Sequence, residues 1–320
     1  MSFICTLCLY LRDSFIPPFC RVFNSYSVRQ RLLSSGALSD ERKALLKNSY
    51  LTIDFHFARK KLLLSDSLAD KEKTLLRKVS LKVHRNDNMI HRRDGFYLDI
   101  AQHYLSIGLF AVRCIENAFK QSSEKYDVRS ILDFACGHGR VLRFLRAKFP
   151  KADITACEID PEALHFCKRT FFVKTILSQK DFTKLSLLGR FELIWCGSLL
   201  THIDEKAATN LLKLFHDHLS PGGLCIFTTH GQTSAKWIQD KRKTYALSSR
   251  DQQQVLSQFR ECGYGYAEYE HQPGYGISVV SHDRMLSIAR GVGPWKETYY
   301  LERGWDNHQD VYGFTGTSIK

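Results

Sequence analysis

Short apolar runs alternate with amphipathic helical patterns from Ser130 onward, and this alternation constrains the fold more than any other feature of the sequence. The apolar runs are SILDFACG, DITACEI, FELIWCGSLL and GLCIFTTHG, and a pattern of helical period follows each of them. Strands separated by helices in this way pair in parallel, with the crossover helices on both faces of one sheet. Two last runs, ETYYLE and DVYGFTG, predict a closing β-hairpin connected by RGWDNHQ. The sequence therefore predicts an α/β fold built on a parallel sheet.

The part of the chain that precedes this alternation is helical and basic. Helical spacing runs through residues 39–120, and Ser39 is a plausible N-cap. Residues 1–130 hold 22 Lys and Arg against 13 Asp and Glu, and this excess of nine positive charges is most of the net charge of +13. Such a surface favours anionic partners, among them RNA, phospholipid head groups and phosphorylated sugars, without setting the substrate. We expect a poorly ordered or targeting-like arm over 1–38, a helical prefix over 39–120, and one large domain over 121–320 onto which the prefix packs.

The first 35 or so residues indicate in which cellular compartment the protein is expected. Their apolar run begins without a basic leader, is interrupted by Arg12 and Asp13, and is not followed by an A-x-A pattern, so a secretory signal is not expected. No run approaches the roughly 18 apolar residues of a spanning helix, and the scattered cysteines are typical of a reducing compartment. We expect a cytoplasmic protein; the alternatives are organelle targeting or peripheral membrane contact through this arm. Cys5 and Cys8 have metal-like spacing, but no second pair follows, so no metal site is expected.

The stretch ILDFACGHGR places an acid and two glycines at the end of a predicted strand. In an open parallel sheet, ligands bind beyond the carboxyl ends of the strands. Gly137 and Gly139 permit positive φ and let a ligand approach the backbone, while the amides of the following helix point toward it. Glu158 ends the next strand, 19 residues after Gly139, which suits a carboxylate that binds ribose hydroxyls. The ligand is therefore expected to contain a nucleoside.

Two nucleoside-binding designs share this layout. A dinucleotide fingerprint needs a small residue three positions after the second glycine, where this chain has Leu142. Asp133 precedes the loop, where a carboxylate would repel a pyrophosphate but could bind an amino group. S-adenosylmethionine carries an ammonium group, a ribose and an adenine, and has no phosphate. These residues favour S-adenosylmethionine as the cofactor, and an NAD(P)-dependent reductase is a disfavoured alternative.

At these residues the chain resembles the class I S-adenosylmethionine-dependent methyltransferases, over about residues 95–320. LDFACGHGRVLRFL is similar to the first motif of that family, ITACEIDPEAL to the second, and FELIWCGSLLTHI and LSPGGLCIFTTHG to its fourth and fifth strands. A narrower likeness, in HYLSIGLFAVRCI, WCGSLLTHID, GYGISVVS and GWDNHQDV, is to a bacterial subgroup of uncharacterised methyltransferases of the type 12 or type 25 kind, some associated with glycan assembly. The resemblance implies a Rossmann-like, seven-stranded, mostly parallel sheet with an antiparallel strand in the C-terminal hairpin, plus an N-terminal helical segment.

The resemblance also implies individual cofactor contacts. Glu158 would bind the ribose, Ile159 would lie against the adenine, and Asp181 of the DF pair would face the adenine amino group. The predicted cofactor-binding residues are Asp133, Ala135, Gly137, Gly139, Glu158, Ile159, Asp181, Phe182 and Cys196.

Candidate residues for the acceptor lie after the fourth strand and in the final hairpin. If the sheet has the usual methyltransferase order, the loop GWDNHQD is on the cofactor side of the sheet. The predicted catalytic residues are His202, His308 and Asp306, and the predicted substrate contacts are His103, Tyr104, Tyr275, Trp305 and Asn307. The alternatives are a surface position for His202, a simple polar turn for GWDNHQD and core packing for Tyr104. The segment GYGYAEYEHQPGYGIS is consistent with a lid, a sugar-facing platform or a packed loop.

Together these observations predict a methyltransferase that acts on a hydroxyl or related nucleophile of a small molecule or glycan. An RNA methyltransferase is an alternative that the basic charge supports. It is disfavoured because no N-P-P-[YF]-type tetrapeptide follows the fourth strand and no RNA-binding module is recognisable. A non-catalytic scaffold that binds S-adenosylmethionine is another alternative, disfavoured because a scaffold has no need of the glycine loop and its acids.

Overall fold

The structure, a computed structural model, describes residue 39 and residues 54–82, 97–122 and 127–316. The predicted arm over residues 1–38 lies outside the described residues, as do the Cys5 and Cys8 pair and residues 40–53 of the predicted prefix. No helix within the described ranges combines the length and the apolar character needed to cross a bilayer.

Seven strands form the central sheet, and two more form a separate hairpin. Their bounds are β1 Ser130–Phe134, β2 Asp153–Glu158, β3 Lys174–Leu177, β4 Phe191–Cys196, β5 Leu219–Thr229, β6 Tyr264–Tyr269, β7 Gln272–Val280, β8 Trp295–Trp305 and β9 Gln309–Gly316. The central order is β3-β2-β1-β4-β5-β9-β8. β1 to β5 pair in parallel, and β9 pairs antiparallel with both β5 and β8. The predicted mostly parallel, seven-stranded sheet with an antiparallel strand in its C-terminal hairpin is confirmed.

Nine helices connect or cover these strands in the described part of the chain. They are α1 over residues 54–63, α2 Asp70–Lys78, α3 Tyr97–Gln121, α4 Leu142–Lys148, α5 Pro161–Phe171, α6 Glu205–His218, α7 Gln232–Gln239, α8 Ser249–Cys262 and α9 His282–Val292. Local sequence explains several of their ends. The Asp160 side chain accepts from Glu162 N at the start of α5, where Pro161 fits the first turn. Asp204 caps α6 in the same way through Ala207 N.

The two faces of the sheet carry separate apolar cores. On one face, α6 and α9 cover strand residues such as Phe134 and Phe227, and Phe215 of α6 meets Phe134 edge-on at 5.2 Å. On the other face, α3, α4 and α5 cover Ile131 and Ile226. All five strand or helix side chains named here are at most 1% exposed, and burying each contributes about 1.5–3 kcal/mol before entropy is counted. Because both faces of the central strands are buried, successive residues along these strands are apolar.

The N-terminal helices pack on the outer side of α3 and α4. Leu76 of α2, Tyr104 of α3 and Phe144 of α4 belong to one buried cluster, and each is at most 2% exposed. Glu72 accepts from Arg113, which joins α2 to α3 at the edge of this cluster. The helices of the prefix thus approach the helix that follows the glycine loop, while the predicted domain boundaries at 38 and 120 stay predictions.

Between β5 and β8 the chain adds more structure than the sequence predicted. β6 and β7 form a two-stranded hairpin from the segment interpreted as a lid, a platform or a packed loop. Backbone hydrogen bonds from Gly276 N to His202 O (2.8 Å) and from Ser278 N to Thr201 O (3.0 Å) attach β7 to the loop after β4. The hairpin is therefore packed against the site. The segment was hard to assign because glycine and proline usually interrupt strands, and residues 271–275 are exposed.

Candidate functional site

The loop between β1 and α4 turns on three residues with positive φ: Ala135 (56°), Gly137 (51°) and Gly139 (79°). The two glycines differ in what surrounds them. A Cβ on Gly137 would meet nothing within 4 Å, whereas a Cβ on Gly139 would lie 2.4 Å from the ring of Phe171. Gly137 therefore keeps the open side of the loop clear, and Gly139 allows α5 to pack beneath it.

Asp133 lies under this loop and carries an unused acceptor. Its side chain is 1% exposed, and Oδ2 accepts no hydrogen bond from the residues that the structure describes. Burial, together with the nearby charge of Glu158, raises the pKa of Asp133 well above its ordinary value. A cation placed beside this carboxyl would satisfy the acceptor and favour its ionised form.

Glu158 ends β2 and binds the loop from the side. Its Oε2 accepts from Gly137 N at 2.8 Å, and its Oε1 accepts from Ile159 N at 2.7 Å and Asp160 N at 3.2 Å. The carboxylate is thus at the tip of β2, adjacent to the glycine loop, as the spacing predicted. A bound ribose would share oxygens that already accept backbone hydrogen bonds.

Four other predicted cofactor residues surround this edge of the sheet, and their contacts with the cofactor stay predictions. Ile159 is 51% exposed, which leaves an apolar surface beside Glu158. Asp181 accepts from Thr183 N (3.1 Å) and Thr183 Oγ1 (2.6 Å), which lowers the pKa of its carboxyl and caps the turn at Phe182–Lys184. Phe182 packs edge-on against Phe134 at 5.9 Å. Cys196 is 0% exposed, and burial raises the pKa of its thiol.

Comparison with known proteins bears on this arrangement. A family profile described as a methyltransferase domain matches residues 131–223, which include the glycine loop, Glu158 and β4. A curated relative, the malonyl-[acyl-carrier protein] O-methyltransferase of Priestia megaterium, is 28% identical over 103 residues. That match covers 32% of this chain and 37% of the relative, so the chain spans little more than a third of the relative's length.

Residues 131–223 match the methyltransferase-domain family.

Solved structures also resemble the chain at low sequence identity. An S-adenosylmethionine-dependent methyltransferase from Clostridium acetobutylicum is 15% identical, with a TM-score of 0.46 over 65% of this chain and 91% of that chain. Human N-acetylserotonin methyltransferase in complex with SAM is 15% identical, with a TM-score of 0.41 over 68% of this chain and 56% of that chain.

The cofactor of this class of domain, S-adenosylmethionine, fits three features of the site. Its ammonium group suits the unused Oδ2 of Asp133, and the clear side of Gly137 admits a ligand against the backbone. The exposed side chain of Ile159 offers apolar surface to a base. No group of three His, Cys, Asp or Glu residues within the described ranges is arranged to hold a metal ion.

On the acceptor side of the methyltransferase domain, His202 lies in the loop after β4. Its Nδ1 donates to Gly276 O at 2.7 Å, which makes Nε2 the acceptor nitrogen of the neutral ring. Tyr275, a predicted substrate contact, stacks on the imidazole with 4.7 Å between ring centroids and is 37% exposed. The β7 backbone therefore fixes the tautomer of His202, and an exposed aromatic ring covers it.

His308 lies in a second aromatic group that includes residues from α7 and the following loop. Its Nε2 is 2.6 Å from the hydroxyl of Tyr245, and its ring stacks on Trp237 at 5.1 Å. Lys243 Nζ is 3.5 Å from both ring nitrogens. Burial, then the charges of Lys243 and Arg303, lower the pKa of His308 to about 4. The ring is therefore neutral near pH 7.

His230 joins the two groups, and the sequence analysis did not identify it. It follows the last residue of β5, is 3% exposed, and lies 4.8 Å from His308 and 6.5 Å from His202 between ring centroids. Burial and the neighbouring histidines and Lys243 lower its pKa well below the ordinary value. Its position at the carboxyl end of a central strand was the available signal, and Tyr245 and Trp237 had no comparable one.

The remaining predicted residues lie at the turn between β8 and β9 or on the part of α3 that packs beside it. Asp306 (φ 57°) and Asn307 (φ 50°) adopt the left-handed conformation of a tight β8–β9 turn, which Asp and Asn tolerate well. Asp306 Oδ2 is 3.4 Å from His103 Nε2, so α3 meets this turn. Trp305 and Tyr104 are 3% and 2% exposed. Trp305 donates to Ile107 O at 3.0 Å, so both rings pack in the core next to the site.

Proposed function

We propose that this protein transfers the methyl group of S-adenosylmethionine to a hydroxyl of a small molecule or glycan. The observation that supports this most directly is the state of His202. Its Nδ1 donates to Gly276 O, which orients the imidazole at the carboxyl end of β4, next to the strand that carries the glycine loop. An imidazole oriented in this way can act as the general base for a hydroxyl.

The cofactor would supply an activated methyl group on a sulfonium, so that a nucleophile attacks the methyl carbon in line and S-adenosylhomocysteine leaves. Asp133 would hold the ammonium end, and Glu158 the ribose, at the tips of β1 and β2. His202 Nε2 would accept the proton of the acceptor hydroxyl as the oxygen–carbon bond forms. His230 and His308 are neutral near pH 7 because burial lowers their pKa values, so neither adds positive charge beside the sulfonium.

The name of the Priestia megaterium relative supports oxygen as the methyl acceptor, because that protein is an O-methyltransferase. Its named substrate is a malonyl group on an acyl-carrier protein. The two chains match over only 37% of the relative. We therefore propose oxygen as the methyl-accepting atom of this protein and propose nothing about its substrate from this relative.

The direct test is incubation of the purified full chain with isotopically labelled S-adenosylmethionine and fractionated small-molecule, glycan and RNA extracts. We expect label in the small-molecule or glycan fraction. His202→Gln should abolish labelling with little change in S-adenosylhomocysteine affinity, and exposed His165→Gln on α5 is the matched control. Label in RNA would favour the RNA alternative. Cofactor binding without transfer would favour a scaffold, and binding of NAD(P)H alone would favour a reductase.

A further inference from the structure

Arg143 is a fully buried cation on α4, one turn after Gly139, and is 1% exposed. In the part of the chain that the structure describes, no carboxylate forms a salt bridge with it. Burying a guanidinium without an opposite charge costs several kcal/mol unless hydrogen bonds satisfy its donors. Its hydrogen bonds are therefore the reason it is tolerated.

These hydrogen bonds reach three separate parts of the molecule. Arg143 Nε donates to Gly139 O at 3.1 Å, Nη1 donates to Ser80 O at 3.1 Å, and Nη2 donates to the hydroxyl of Tyr104 at 3.3 Å. The guanidinium also lies over the rings of Tyr104 and Phe171, at 5.1 and 5.4 Å from their centroids. One side chain thus contacts the glycine loop, the segment after α2, and α3.

Each contact constrains the loop from beneath. Gly139 O belongs to the turn that presents Gly137 to a ligand, and Phe171 is the ring that occupies the space beside Gly139. Ser80 lies between Val79 and Leu81, which are 3% and 8% exposed in the cluster that fixes the N-terminal helices to α3 and α4. If residues 76–82 moved away, Arg143 would lose the Ser80 acceptor.

We propose that Arg143 is a positioning residue that couples the docking of residues 76–82 to the conformation of the glycine loop. Cofactor binding and docking of the N-terminal helices then stabilise each other, because coupling between two sites is reciprocal. The proposal rests on the proposed function only in that the glycine loop binds S-adenosylmethionine or its product. Arg143 itself touches neither the acceptor nor the reacting atoms.

The first test is calorimetry with S-adenosylhomocysteine on the wild type, Arg143→Met and Arg146→Met. Arg146 lies on the same helix and also donates to backbone carbonyls, Ala152 O at 2.8 Å and Phe171 O at 3.2 Å, without reaching the loop. Losing hydrogen bonds from a charged group should weaken binding about 10- to 100-fold in Arg143→Met. Arg146→Met should bind S-adenosylhomocysteine within about twofold of the wild type, even if its thermal midpoint falls as far as that of Arg143→Met.

The second test separates coupling from a merely structural role, and it does not depend on Arg143→Met being soluble. In the wild type, S-adenosylhomocysteine should slow hydrogen exchange of the amides in residues 76–82, which contact the loop through Arg143. Tyr104→Phe should reduce this remote protection. Val79→Ala, which loosens the Ser80 segment, should weaken S-adenosylhomocysteine binding, while the equally buried Val255→Ala in α8 should not.

The outcomes are distinct. Wild-type binding with unchanged affinity in Arg143→Met and Val79→Ala, or without protection of residues 76–82, would overturn the coupling and leave the proposed function standing. Absence of binding by the wild type would overturn both. Reduced affinity in Arg143→Met and Val79→Ala, with remote protection in the wild type and normal binding by Arg146→Met, supports the coupling.

Discussion

Replacing Gly137 by alanine should separate cofactor binding from folding. Gly137 has a φ of 51°, and an added Cβ would meet no atom of the described protein within 4 Å. The cost to the fold is therefore the left-handed strain of a non-glycine residue alone, about 1–2 kcal/mol. For a domain of this size that lowers the thermal midpoint by about 2–8 °C. The same methyl group would occupy the side of the loop on which we propose that the cofactor binds.

Inserting a methyl group into a filled contact costs about 1–3 kcal/mol, which is about 5- to 150-fold in the dissociation constant. Gly189→Ala is the matched control, because Gly189 has a φ of 86°, nothing within 4 Å of its Cβ, and a position in an exposed loop before β4. Calorimetry with S-adenosylhomocysteine and thermal melts on both variants would give the two quantities. Equal affinity in Gly137→Ala and the wild type, or equal loss of affinity in Gly189→Ala, would refute the placement of the cofactor against Gly137.

Three further predictions follow from the same geometry. Gly139→Ala should destabilise the fold more than Gly137→Ala, since its Cβ would lie 2.4 Å from Phe171; a smaller shift in the melting midpoint would contradict the packing. Because the pKa of Asp133 is raised, the contribution of its carboxyl to stability is fully present below the ordinary value of 3.8 and is lost as pH rises through the folded-state pKa. Asp133→Asn should thus be no less stable than the wild type near pH 7 in denaturant titrations, yet bind S-adenosylhomocysteine about 10- to 150-fold more weakly. Because the pKa of His308 is lowered to about 4, its neutral form stabilises the fold above pH 6.5, and this is lost as pH falls through 4. His308→Gln should show less of this acid destabilisation and should reduce turnover more than cofactor affinity; a pH-stability profile identical to the wild type would exclude the assigned burial.

The positions of the glycine loop and of the acids at the strand ends were predictable because these residues are close in sequence or lie at predicted strand ends, while their contacts with the cofactor stay predictions. Asp133, Gly137 and Gly139 belong to one strand-loop-helix unit, and Glu158 ends the next strand. What the sequence missed within this unit was the difference between the two glycines. The ring that fills the space at Gly139 comes from Phe171, 32 residues further along the chain.

The acceptor half was predicted only in part. His202, His308 and Asp306 were identified from expected strand ends, and their roles there remain predictions. His230 was missed because a histidine after a strand has no local signature, and the contact between His308 and Tyr245 joins residues 63 positions apart. The β6–β7 hairpin, whose Gly276 carbonyl accepts from His202, was missed because its glycines and its one proline are typical of a loop.

The sequence by itself determined the order of strands and helices, the turn that presents the glycine loop, and the acids at the tips of β1 and β2. These are local properties, set by hydrophobic period, by the φ angles that glycine permits and by short spacing along the chain. Tertiary structure alone decided that His230 lies beside both His202 and His308, and that Arg143 connects the N-terminal helices to the glycine loop. Both depend on contacts between residues far apart in the chain, which form only when the two cores bury their apolar faces on opposite sides of the sheet.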